Sequence, residues 1–93
     1  MIASFRDRDT EDLWRTGRCW RLPADLQRRL FKKLAILNAA IALQNLAVPP
    51  GNNLEALRGD RAGQHSIRVN DQYRVCFTWR AGNAFDVEIV DYH

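Results

Sequence analysis

The chain has little cysteine. Its two thiols, Cys19 and Cys76, are too few and too far apart for a zinc motif. No pair of histidine and cysteine residues has metal-ligand spacing, so neither a metal nor another cofactor is expected. The two cysteines are expected to be reduced, packed thiols rather than a disulfide. No apolar run reaches the roughly 18 residues of a membrane span. The stretch Met1–Asp7 lacks a basic segment followed by an apolar one. A signal peptide is therefore not expected, and the cytoplasm is the default compartment. Gly59 and Gly63 do not sit between a strand and a helix, which excludes a phosphate-binding glycine loop. Internal repeats and low-complexity stretches are missing as well.

Acidic charge is scarce in one stretch. From Arg15 to Lys33 there are seven basic residues against one acid, Asp25, although the net charge of the chain is only +3. Twelve of the 14 cations are arginine. Arginine offers a planar fork that grips phosphate or carboxylate through two bonds, where lysine offers a point charge. This basic stretch reads either as a solvated helix face or as a footprint for RNA or an acidic protein partner.

The 93 residues suit one domain, taken as 1–93, with room for a single core. Residues 2–6 read as a first strand. Asp9 or Thr10 can cap a short helix through about Arg15, which Gly17 ends. Pro23 suits the first turn of a longer helix. Leu26, Leu30, Leu34, Leu37 and Ile41 form its apolar stripe, and the helix fades near Leu43–Ala47. Pro49-Pro50-Gly51-Asn52-Asn53 breaks the pattern, Leu54–Arg58 suits a short extended piece, and Gly59–Gly63 is a turn.

The period then changes from 3.6 to 2. Ile67 and Val69 alternate with Arg68, and Asn70-Asp71 signals a hairpin. Tyr73, Val75, Phe77 and Trp79 alternate with Arg74, Cys76, Thr78 and Arg80. After a turn at Ala81-Gly82-Asn83, Phe85, Val87 and Ile89 alternate with Asp86, Glu88 and Val90. Helices followed by a strand meander define an α+β order. The expected fold is two N-terminal helices packed on one face of a mostly antiparallel, four-stranded sheet, its fourth strand supplied by the returning N-terminus. Ile67, Val69, Tyr73, Val75, Phe77, Trp79, Phe85, Val87 and Ile89 should face the helices. Arg68, Arg74, Thr78, Arg80 and Glu88 should face away.

Several constellations follow. Arg68 and Arg74 share the open face on neighbouring strands, where like charges repel by up to about 1 kcal/mol. An anion between them relieves that repulsion; the plainer reading pairs each with an acid such as Glu88 or Asp86. Asp91, Tyr92 and His93 gather three side chains suited to proton transfer. Tyrosine and histidine can serve as base and acid only if neighbouring arginines tune them, and a histidine at such a position is otherwise simply solvated. Arg58, three residues after Glu55, sits beside the glycine-rich turn, either near another chain or in a surface ion pair. Tyr73, Phe77 and Trp79 could stack bases, but their register with Val75 points to core packing. His65 reads as structural.

The stretches Leu57–Gly63, Ser66–Val69, Tyr73–Phe77 and Val90–His93, with Ile2–Phe5 and the basic helix, resemble the HigB branch of the RelE/ParE toxin superfamily over essentially the whole chain. The resemblance implies a RelE-like fold and a toxin that is a ribosome-dependent mRNA endoribonuclease. It also implies a metal-free reaction, in which the ribose 2′-hydroxyl would attack the adjacent phosphate and leave a cyclic phosphate. A helix-turn-helix antitoxin of HigA type, from the same operon, is the implied partner, with operator DNA contacted only through it. By position, Arg68 and Arg74 would hold the scissile phosphate, Tyr92 and His93 would share proton transfer and base stacking, and Asp91 would orient them. Glu55, Arg58, Arg61, Lys32 and Lys33 are the expected substrate-binding residues. Some members resemble His-x-x-Lys before the Gly-Asp turn, where this chain has Glu55-Ala56-Leu57-Arg58. Arg58 can still meet a phosphate; Glu55 can act as a base, but cannot donate a proton when ionised. The alternative is a ParE-like, non-enzymatic toxin that binds DNA gyrase. It has no need of a cationic, proton-active cluster.

Overall fold

The computed structural model describes residues 1–92. Helix α1 (Arg8–Thr16) and helix α2 (Ala24–Ala39) come first. Strands β1 (Glu55–Ala56), β2 (His65–Arg68), β3 (Tyr73–Arg80) and β4 (Asn83–Asp91) follow. They form one sheet in the order β1-β2-β3-β4, and each neighbouring pair is antiparallel. The α+β order with two helices against a four-stranded sheet is the one expected. Leu13 of α1 and Leu30, Leu34 and Leu37 of α2 are fully buried with Ile67, Val75, Phe77 and Val87 of the sheet. Each such side chain contributes about 1.5–3 kcal/mol relative to exposure.

The fourth strand is not the one expected. Residues 2–6 make only two isolated parallel bridges to β4, Ile2 to Ala84 and Phe5 to Val87. The sheet is completed instead by Glu55–Ala56, inside the piece read as extended. The reason lies in β4. Between the pairs Cys76↔Glu88 and Thr78↔Phe85, β3 advances two residues (76 to 78) and β4 three (88 to 85). The extra residue falls at Asp86, whose φ of 52° is left-handed. Its amide leaves the ladder and donates to Ser4 Oγ at 2.9 Å. A regular strand cannot run along a bulged edge, so the N-terminal segment touches it only at two points.

The same bulge corrects the expected place of Phe85. Ala84 pairs with Trp79 and is buried with Val87, whereas Phe85 pairs with Thr78 on the opposite face. There the Arg80 guanidinium lies 4.2 Å from the Phe85 ring centroid. Helix α2 also ends earlier than its apolar spacing suggests. Asn45 Oδ1 accepts the Ile41 and Ala42 amides at 3.1 and 2.9 Å, capturing donors that a longer helix would bond to its own carbonyls. Leu43–Ala47 is a separate 3-10 turn, and Ile41 is 85% exposed rather than part of the stripe. Phe77 is fully buried, with Trp79 edge-on at 6.4 Å, so these rings belong to the core.

Thr10 ties α1 to the sheet. Its buried Oγ1 accepts the Ile89 amide of β4 at 3.0 Å. With the N-terminal segment, it covers an edge that would otherwise present free donors.

Candidate active site

The face of the sheet away from the helices is built around Cys76. Ser66, Cys76 and Glu88 lie side by side across β2, β3 and β4 by register, and Glu55 of β1 continues the row beside Ser66. Ser66 and Cys76 are fully buried although they belong to the open face. Three longer side chains gather around them. Arg74 donates from Nε to Ser66 Oγ at 2.7 Å and from Nη2 to the Asn53 carbonyl at 2.7 Å. Arg61, on the 3-10 turn Gly59–Arg61, donates from Nη1 to Glu88 Oε1 at 2.6 Å and to Gln64 Oε1 at 3.0 Å. The Tyr92 hydroxyl lies 3.8 Å from Cys76 Sγ.

The electrostatics follow from this packing. Burial pushes the Tyr92 phenol above its ordinary pKa, and the contact with Cys76 adds to the shift; Arg61 and Arg74 pull weakly the other way. Burial likewise raises the Cys76 thiol, so it is a poor nucleophile. The hydrogen bond to Glu88 raises the Arg61 guanidinium further. A phenol held neutral beside fixed cations suits hydrogen-bond or proton donation rather than base chemistry. Arginine has five N–H donors, and among the described residues the two on Arg74 Nη1 have no partner.

The β2–β3 turn fixes the end of β4. Asn70 Oδ1 accepts the Gln72 and Tyr73 amides at 2.9 and 2.8 Å, closing the turn. The Gln72 carbonyl accepts the Tyr92 amide at 2.6 Å, while Gln72 Nε2 donates to the Asp91 carboxylate at 3.1 Å. Asp91 thus steadies Tyr92 through Gln72. His93 lies outside the described residues.

Arg68 and Arg74 are Cα partners, as the hairpin predicts, but their head groups separate. Arg68 donates to the Asn70 carbonyl at 3.2 Å and pairs with the Asp71 carboxylate. Neither arginine pairs with Glu88 or Asp86; Glu88 is held by Arg61 and, at 3.7 Å, by Arg6. Lys32 and Lys33 are not at the Cys76 centre. They line an open cleft of about 670 Å³ between α2 and the β2–β3 turn, together with Arg29 and Arg68. Glu55 and Arg58 are exposed at the rim, and no side-chain hydrogen bond joins either to another described residue. The parts that sequence reasoning did not single out are Ser66, Cys76 and Gln72. The period of 2 places Ser66 and Cys76 beside the arginines and was the available signal; nothing local marks Gln72.

This arrangement, a meander carrying arginines and a tyrosine over two N-terminal helices, defines a RelE-like toxin fold. A solved structure of a YafQ mutant from E. coli superposes with a TM-score of 0.62 over 99% of this chain and 94% of that one, at 9% identity. The sequence carries the relationship further. The family model described as RelE-like toxin of type II toxin-antitoxin system HigB matches residues 3–93, and the chain belongs to this family. It is 42% identical over 87 residues to Toxin HigB-1 of Vibrio cholerae serotype O1, covering 92% of each chain. It is 30% identical over 93 residues to Endoribonuclease HigB of Proteus vulgaris, covering all of both. A type II toxin–antitoxin family implies an antitoxin partner. Among the described residues no helix is long and apolar enough to cross a membrane.

Proposed function

We propose that this toxin is a metal-free endoribonuclease that cuts mRNA presented by the ribosome. The observation that carries this reading is the Arg74 guanidinium, anchored by Ser66 and Asn53, beside a Tyr92 phenol whose partial burial and contact with Cys76 raise it above its ordinary pKa. A ribose 2′-hydroxyl attacking its 3′ phosphate builds negative charge on the phosphoryl oxygens. The unused Arg74 donors, with Arg61 behind them, are preorganised for that charge, and such a donor is worth about 2.7–4 kcal/mol. The 2′-oxygen forms a bond to phosphorus while the bond to the 5′-oxygen of the next nucleotide breaks. Tyr92 is the group suited to give that leaving oxygen its proton. Glu55, on the same face beside Ser66, is the carboxylate suited to take the proton of the 2′-hydroxyl. Arg58 meets the phosphate backbone at the rim, and His93 shares stacking or proton transfer with Tyr92. Asp91 positions the tyrosine through Gln72.

The name of the Proteus vulgaris relative supports cleavage over the ParE-like reading. The antitoxin, of helix-turn-helix type and from the same operon, is proposed to reach the basic helix and the Gly59–Gly63 turn. The test is primer extension on cellular mRNA after brief induction, beside a DNA supercoiling assay. In-frame cuts with unaltered supercoiling support the enzyme. Altered supercoiling without cuts supports the gyrase-binding alternative.

A further inference from the structure

The cleft between α2 and the β2–β3 turn is a second cationic position, separate from the Cys76 centre. Arg29, Lys32, Lys33 and Arg68 line it, with one carboxylate, Asp71, among its described lining residues. It is an open cleft of about 670 Å³. Gathering these cations is unfavourable on its own. Lys33 is lowered from its ordinary pKa first by burial and then by the Arg29 charge. Lys33 donates to Asn52 Oδ1 at 2.5 Å, and Arg29 reaches the Val69 carbonyl at a long 3.4 Å. Lys32 has no hydrogen-bond partner among the described residues and is exposed. The cleft therefore holds donors that have no partner among the described residues.

Its position adds the decisive point. Arg68 lines the cleft and is the Cα partner of Arg74, so the cleft and the Arg74 centre draw on one cross-strand pair whose guanidinium groups turn to different neighbours. Asp71 is 95% exposed and still closes on Arg68, placing an internal anion at the mouth of the cleft. We infer that this cleft is a second phosphate subsite, holding an RNA backbone phosphate that flanks the scissile one through Arg29, Lys32 and Arg68, and that Asp71 gives up Arg68 when the phosphate enters. The inference rests on the reading of the Arg74–Tyr92 centre as the point of cleavage.

The test is fluorescence polarisation of the full chain with a labelled six-nucleotide RNA bearing 2′-O-methyl at every ribose, which cannot be cut. Arg29→Gln with Lys32→Gln should weaken binding about tenfold and lower the log–log salt slope by about 1. Asp71→Asn, a change on an exposed turn side chain, should tighten binding about two- to fivefold, because Arg68 is freed. Unchanged affinity and salt slope in the double variant, or weaker binding in Asp71→Asn, overturns the subsite. Loss confined to vacant 70S ribosomes, with the oligonucleotide unaffected, overturns the assignment to substrate and gives the phosphate to ribosomal RNA. A polyglutamate peptide that binds as tightly as the RNA and responds to the same variants also overturns it, in favour of an acidic protein. Because the probe needs no chemistry, a chain that binds it through the cleft yet cuts no mRNA would defeat the cleavage reading and leave the subsite standing.

Discussion

Arg68 and Arg74 face each other across β2 and β3, yet their guanidinium groups reach different neighbours. Arg74 turns over Ser66 toward the Asn53 carbonyl, while Arg68 turns to the carbonyl of Asn70 and the carboxylate of Asp71. Two like charges in register thus avoid each other by dividing between two sites. Their roles are therefore expected to separate under mutation.

Arg74→Ala should lower ribosome-dependent cleavage by about 10²–10³-fold, the cost of one key oxyanion donor. It should also destabilise the fold by about 1 kcal/mol, since the buried Ser66 hydroxyl loses its donor. Arg74→Lys should not restore activity, because a point charge cannot hold Ser66 and Asn53 together. Single-turnover cleavage and urea unfolding of both variants check this. Wild-type cleavage by a folded Arg74→Ala chain would remove Arg74 from the chemistry.

Stability should fall at alkaline pH through Cys76. Its buried thiol titrates above the ordinary value of about 8.5. The folded chain keeps this proton where the unfolded chain has released it. The contribution is fully present below the ordinary thiol value and is lost as pH rises through the raised one. Cys76→Ala should cost about 0.5–3 kcal/mol at pH 7 and flatten the decline of stability above pH 8.5. Urea midpoints from pH 7 to 10 read both effects. An equal alkaline slope in the variant would place its origin in another group.

The Asp86 bulge offers a backbone test. Its left-handed φ of 52° is tolerable for aspartate and poor for a β-branched residue. Asp86→Val should destabilise by about 1–2 kcal/mol although its side chain is exposed. Asp86→Gly should be close to neutral. Thermal melts of the two variants distinguish backbone strain from lost side-chain contacts, which would harm both alike.

That bulge also marks where the sequence stops being legible. The pairing of Arg68 with Arg74 can be counted from the Asn70-Asp71 turn, and the meander follows from its period. The side of Phe85 cannot be counted, because the extra residue in β4 is held by Ser4, far away in the chain. The end of α2 was hidden for a similar reason: the Asn45 carboxamide competes for its donors, while the apolar spacing runs on to Ile41. At the site, the residue types and their face were readable. The direction of each guanidinium was not, since carbonyls of Asn53 and Asn70 decide it. The place of Lys32 and Lys33, in the cleft beside the β2–β3 turn rather than at the Cys76 centre, follows from how α2 packs on the sheet and is not legible in the sequence.

Tyr92 carries the last prediction, because its environment selects between two roles that its chemistry allows. As a base, it would need to be ionised near neutrality, which requires a lowered pKa. Burial and the Cys76 contact raise it instead, above the ordinary value of about 10. Tyr92 is therefore expected to act as the neutral phenol. Tyr92→Phe keeps the ring and its stacking surface and removes the hydroxyl with its proton, so cleavage should fall by about 10²-fold or more while the apparent affinity for RNA changes little. The pH profile separates the roles. With a neutral donor, wild-type cleavage should not rise with pH on account of Tyr92, and any loss due to its ionisation should come at higher pH than for an ordinary tyrosine. A substrate whose leaving 5′-oxygen is replaced by sulfur needs little protonation. It should be cut by Tyr92→Phe nearly as fast as by the wild type, since the missing proton no longer limits the step. A Tyr92→Phe chain that stays equally impaired on the sulfur substrate would show that the hydroxyl serves the phosphate or the nucleophile rather than the leaving group.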